Sequence, residues 1–140
     1  MTATQKIALL DLSAVRADLV CRDGLLPATA DEAISLYRQF LTLCAQHDDT
    51  PVCPPSLADK AWHRHIARTA AYRVDCLSIF GAPLEHDVDA FGTPAFDAAW
   101  AETRRLYRDQ FGVELEKDAT ALEASSLAPA ACYRPLPKAA

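Results

Sequence analysis

SLADKAWHRHIARTAAYRVDC, Ser56 to Cys76, gathers a Trp, two His one residue apart, a Tyr, an Asp and a Cys into one short stretch. Its alanines and straight-chain charged residues favour a helix over a strand. Ser56 can cap that helix with Asp59 at the capping-box position, and Gly81 can end it, so one long helix is expected from Ser56 to about Phe80. At ~100° per residue, Trp62, His65, Ile66, Thr69, Tyr72, Cys76 and Phe80 form a buried stripe. Lys60, Arg64, Arg68 and Asp75 gather on the opposite, solvated side, while His63 lies on the flank beside Asp59.

The same geometry sorts the chemistry. Two residues apart on a helix, His63 and His65 diverge by ~200° and cannot meet on one ion. Asp59 and His63, at i and i+4, share a face and offer a carboxylate oxygen and an imidazole nitrogen to one point. His65 and Cys76 share the stripe but stand roughly 16 Å apart along a straight axis, which excludes a Cys–His nucleophile pair. Tyr72 and Cys76, one turn apart, can touch. His86 follows in the next loop, with Asp87 and Asp89 beside it, and can fold back toward either face.

Each of these residues also has a structural explanation. His65 can be a core histidine satisfied by hydrogen bonds, Asp59 a helix cap, and Asp59 with His63 a surface ion pair of small energetic worth. Cys76 reads as a small buried hydrophobe. His47, Asp48 and Asp49 read as a helix exit and turn.

Outward from this stretch the chain is helical with proline punctuation. HDDTPVCPP, His47 to Pro55, reads as a rigid extended connection. Before it, TADEAISLYRQFLTLCAQ begins a helix with Thr29 as cap and Glu32 three residues on, and Ala33, Leu36, Tyr37, Phe40, Leu41 and Cys44 form one face. An earlier helix is expected from Ser13 to Arg22, with Gly24 as its stop. Thr93 followed by Pro94 opens the last one, which turns Phe96, Ala99, Trp100, Thr103, Leu106, Tyr107 and Phe111 inward until Gly112. Beyond it, a short helix near Ala119 to Ser125 precedes a proline-punctuated end, with Leu115, Leu127, Tyr133 and Leu136 as anchors. The expected architecture is all-α, an irregular bundle of four, or four to five, helices. Residues 1–112 would form a single helical domain and 113–140 a partly extended C-terminal tail, partly docked or mobile.

At 140 residues there is room for one compact domain, which buries roughly two thirds of its unfolded surface without metal or disulfide staples. With 51% hydrophobic and 24% charged residues the composition is that of a globular protein and not of a disordered one. A formal charge of −5 argues against general affinity for nucleic acid or anionic lipid. Asp11 interrupts the first apolar run before a signal-peptide core forms, and no segment reaches the ~20 apolar residues of a membrane span. Five cysteines without a CxxC pair point to reduced thiols in a cytoplasmic protein.

The run PPSLADKAWHRHIARTAAYRVDCLSIFGAPLEH, preceded by YRQFLTLC, resembles the small bacterial members of the glycine-rich domain-containing protein-like family. In that family a Tyr-x-x-Phe-Leu segment and a proline turn lead to Asp-x-x-Trp-His-x-His-Ile, a Tyr, an Asp-Cys, Phe-Gly and a later His. Asp59, Trp62, His63, His65, Ile66, Tyr72, Asp75, Cys76, Phe80, Gly81 and His86 occupy those positions, and the resemblance covers about Leu36 to His86. It implies either a metal site or a polar structural cluster. Larger plant members carry glycine-rich regions and are linked with stress responses; with four Gly and no such region, this chain takes no RNA-binding or plant-like role from them.

Two functions follow. In the first, the protein binds one transition metal, zinc or iron, through Asp59, His63 and His86, with His65 in reserve; no residue pattern specifies a substrate or a reaction. In the second it is a non-enzymatic interaction module, its Trp-His-x-His motif structural, that engages a protein partner through an exposed face or through YRPLP, Tyr133 to Pro137.

Overall fold

The computed structural model describes residues 1–87, 89, 92–117, 127–130 and 134, and the chain is all-α over them. Six helices occupy the described residues, where the sequence leads one to expect four or five. The first, α1 (Ala3–Ala8), lies outside that expectation although Thr2 and Gln5 carry the spacing for it: the Thr2 hydroxyl accepts the Gln5 N–H and the Gln5 side chain accepts the Thr2 N–H. Next comes α2 (Ser13–Cys21). The long α3 (Pro27–Gln46) begins two residues before Thr29, with extended Leu26 as its cap residue and Pro27 in the first turn, so Thr29 does not cap it. Its inner face is as expected, with Ala33, Leu36, Tyr37, Phe40, Leu41 and Cys44 all buried.

The rod expected from Ser56 to Phe80 is two helices, α4 (Ser56–Ala67) and α5 (Thr69–Phe80), separated by one non-helical residue, Arg68, at φ −88° and ψ 68°. Arg-Thr is no intrinsic breaker, and the alanines around it favour continuation; contacts made across the break hold it open. The Arg68 guanidinium is bonded to both oxygens of Asp18 on α2, at 2.7 and 3.0 Å. Trp62 Nε1 donates to Tyr72 Oη at 3.1 Å, and His65 Nε2 lies 2.8 Å from Asp75 Oδ2. On a straight helix those ten-residue pairs would be ~15 Å apart. The fold-back corrects two expectations: Asp75 is turned toward His65 and is not on a solvated face, and the ~16 Å spacing of His65 and Cys76 does not describe this chain. Within the expected stripe Trp62, His65, Tyr72 and Cys76 are buried, Ile66 and Phe80 are half-buried, and Thr69 is exposed.

The last helix, α6 (Pro94–Phe111), follows its sequence signals: Thr93 accepts the Phe96 N–H at 3.1 Å, Pro94 opens the first turn, and Gly112 ends it at φ 67°. α3 packs against α1, α2, α4 and α6. Tyr37, Phe40, Leu41 and Leu43 of α3, Trp62 of α4 and Tyr107 of α6 are almost wholly withdrawn from solvent. No helix among the described residues is long and apolar enough to cross a membrane.

Proline keeps residues 51–55 extended, and their backbone pairs with residues near the C-terminus. Val52 and Arg134 exchange hydrogen bonds of 3.0 and 2.7 Å, Ala130 N–H donates to Pro54 O at 3.1 Å, and Ser56 N–H donates to Ala128 O at 2.8 Å. Of the expected tail anchors, Leu115 is buried and Leu127 packs partly buried against the core. Tyr133, Leu136 and the short helix expected near Ala119 to Ser125 lie outside the described residues.

Candidate metal centre

α4 brings Asp59 and His63 together one turn apart. Pro55 is the cap residue, and Ser56 is already helical with no side-chain cap bond, so the Asp59 carboxylate is not engaged in a capping box. Its two oxygens face two imidazoles: His63 Nδ1 lies 3.1 Å from Oδ2, and His86 Nε2, from the loop after α5, lies 3.3 Å from Oδ1. His63 Nδ1 also lies 2.9 Å from the Asp59 backbone oxygen. The imidazole rings of His63 and His86 are 4.5 Å apart and steeply inclined.

The loop that returns His86 is fixed by the aromatic residues of the motif. Tyr72 Oη, which accepts from Trp62 Nε1, donates to Leu84 O at 2.8 Å, two residues before His86. Trp62 then meets the His86 ring edge-to-face at 4.2 Å and the Phe40 ring at 4.7 Å. The cluster is therefore walled on its core side, and access is graded: side-chain exposure is 13% for Asp59, 11% for His86 and 50% for His63.

One donor atom from each of Asp59, His63 and His86 lies within 4.8 Å of the other two. Donors ~2.1 Å from a tetrahedral ion stand about 3.4 Å apart; each imidazole lies near that distance from one carboxylate oxygen, His63 from Oδ2 and His86 from Oδ1, and side-chain adjustment brings the three residues onto one ion. Burial works against the Asp59 charge, yet hydrogen bonds from His63 and His86 and the charge on those rings outweigh it and hold the carboxyl below its ordinary value. The Asp59 hydrogen bond in turn raises His63 above its ordinary value, against partial burial.

His65 does not join this group. Its Nδ1 lies 2.7 Å from Tyr37 Oη and its Nε2 faces Asp75, so both ring nitrogens are taken. An ionised Asp75 accepts only, which puts the proton on Nε2 and makes the Tyr37 hydroxyl the donor to Nδ1. Burial pushes the imidazole below its ordinary pKa against the pull of Asp75. With the Tyr72 ring 4.9 Å away, His65 is the centre of a satisfied buried cluster, as its structural explanation anticipates. Burial raises the Cys76 thiol, which fits a core residue and not a nucleophile. The sequence reading gives no place at the site to Tyr37, which depends on how α3 packs on α4, or to Asp75, which only a break at Arg68 would turn toward His65.

The YRPLP segment is tied down at Arg134, which is 4% exposed and whose Nη2 donates to His47 O and Thr50 O at 2.8 Å each; its other residues lie outside the described ones. Comparison with protein-family models, with curated proteins and with solved structures finds no match for this chain.

Proposed function

We propose that this protein is a small irregular helical bundle that binds one divalent transition metal, zinc or iron, through Asp59, His63 and His86. One observation carries the reading: His86 returns across 27 residues of sequence to bring a nitrogen to the Asp59 carboxylate already shared with His63. Two imidazoles and a carboxylate suit zinc and ferrous iron, and three protein donors leave room for an exogenous ligand. We assign the chain to the cytoplasm on the reduced thiols of Cys21, Cys44 and Cys76. The resemblance to the glycine-rich domain-containing protein-like family stands as part of the proposal. Its support is that the Trp, His, Tyr, Asp and Cys of the quoted motif fall into two adjoining clusters.

Metal analysis of the untagged, purified chain tests the reading. Near-stoichiometric zinc or iron is expected, lost in His63→Ala and in His86→Ala and retained in Lys60→Ala. A wild type that is metal-free and takes up neither added ion overturns it.

The second reading, a non-enzymatic interaction module with a structural motif, draws on the contacts that satisfy Asp59 without any ion and on the Trp62–Tyr72–Leu84 chain that pins the loop. Under it, the His63→Ala and His86→Ala variants would lose stability equally with and without added metal.

A further inference from the structure

We infer that the open coordination position takes an anionic oxygen donor from a small molecule, a carboxylate or a phosphate, admitted past Lys60; this rests on the metal-binding reading above. The direction of approach follows from exposure. Asp59 and His86 are mostly covered and Trp62 lies against His86 on the core side, so among the described residues the half-exposed flank of His63 is the open approach to the ion. That flank lines a cleft together with Lys60, Arg64 and Asp23.

The α4 positions of Lys60, His63 and Arg64, at i, i+3 and i+4, put two cations and one ligand on one helical face. Arg64 is engaged by both oxygens of Asp23, Nε to Oδ2 at 2.9 Å and Nη2 to Oδ1, so those two charges cancel at the cleft wall. Lys60 is exposed, and its charge adds to that of Arg64 beside Asp23. A divalent ion that shares a single carboxylate, Asp59, keeps a net positive charge, and Lys60 adds another at the mouth. Cationic clefts concentrate anions, and an ammonium group makes a charge-assisted hydrogen bond to the oxygen such an anion leaves free.

The test loads the full chain with cobalt(II) and follows its visible absorption while acetate and inorganic phosphate are added separately at constant ionic strength. A saturable shift is expected with at least one of them, and the anion that saturates at lower concentration identifies the donor class. Lys60→Gln should bind cobalt as tightly as wild type but require about tenfold more of that anion, the scale of one charge-assisted contact. A loaded spectrum that neither anion moves, or that moves alike in wild type and Lys60→Gln, overturns this inference and leaves metal binding intact. Failure to take up cobalt, zinc or iron at all removes the metal site and this inference with it.

Discussion

His65 Nε2 and Asp75 Oδ2 stand 2.8 Å apart across the break at Arg68, with His65 held on its other nitrogen by Tyr37. This contact makes α4 and α5 two arms of one corner. Asp75→Asn replaces a charged acceptor by a neutral amide beside a nearly buried ring and should cost about 1–2 kcal/mol. Urea unfolding measures it against Lys60→Ala, an exposed change expected to stay within about 0.5 kcal/mol. Equal stability of the two variants would mean that the corner is held by other contacts.

Trp62 and Tyr72 divide stability from ligand placement. Trp62→Ala deletes a fully buried ring and should cost ~3–5 kcal/mol. Tyr72→Phe keeps the ring but loses the hydroxyl that accepts from Trp62 and donates to Leu84 O. Its stability cost is about 1 kcal/mol, yet zinc affinity, read by chelator competition, should fall about tenfold or more as His86 loses its anchor. Unchanged affinity in Tyr72→Phe would fail the metal reading at its support.

The two histidines of the motif set opposite limbs of the pH profile of the metal-free protein. His63 is raised above 6.5 by Asp59, so its contribution is complete below pH 6.5 and disappears as the pH climbs through the folded-state value. His65 is lowered beneath 6.5 by burial, so its contribution is complete above pH 6.5 and disappears as the pH drops toward its folded-state value. Together they predict a maximum near pH 6.5 in this part of the profile. In chelator-treated protein, His63→Gln should flatten the alkaline limb and leave the acid limb; an unchanged alkaline limb in this variant counts against the Asp59–His63 pair.

Thiol chemistry offers a separate check on the core. Burial pushes Cys44 up to about 12 and raises Cys76, whereas Cys21 is exposed. Peptide mapping after brief maleimide treatment of native protein near neutral pH should find Cys21 modified, and Cys44 and Cys76 modified only after unfolding. Rapid native labelling of Cys76 would contradict its placement inside the corner.

Local patterns made much of the fold legible. The α3 face from Ala33 to Cys44, the Thr93-Pro94 start and Gly112 end of α6, and the Gly81 stop are short-range signals, and each is used as the sequence implies. The break at Arg68 was not legible, because no residue there opposes a helix and the contacts that hold it open come from Asp18 and the two crossing pairs. Without that break, Asp75 reads as solvated and the Nε2 of His65 reads as free for a ligand role. Asp59 with His63 was readable from i,i+4 spacing alone. The convergence of His86 was not, since a loop carries no periodicity from which its return direction can be computed.

The single non-helical residue between the arms also makes the corner sensitive to chain length as well as to residue identity. Deleting or inserting one residue between Ile66 and Ala71 would turn α5 by ~100° and slide it by ~1.5 Å relative to α4. Asp75 would then swing off His65, Tyr72 off Trp62, and the Leu84 carbonyl with its following His86 away from Asp59, all in one step. The phase between two helices is thus a fixed quantity in this chain, counted in whole residues.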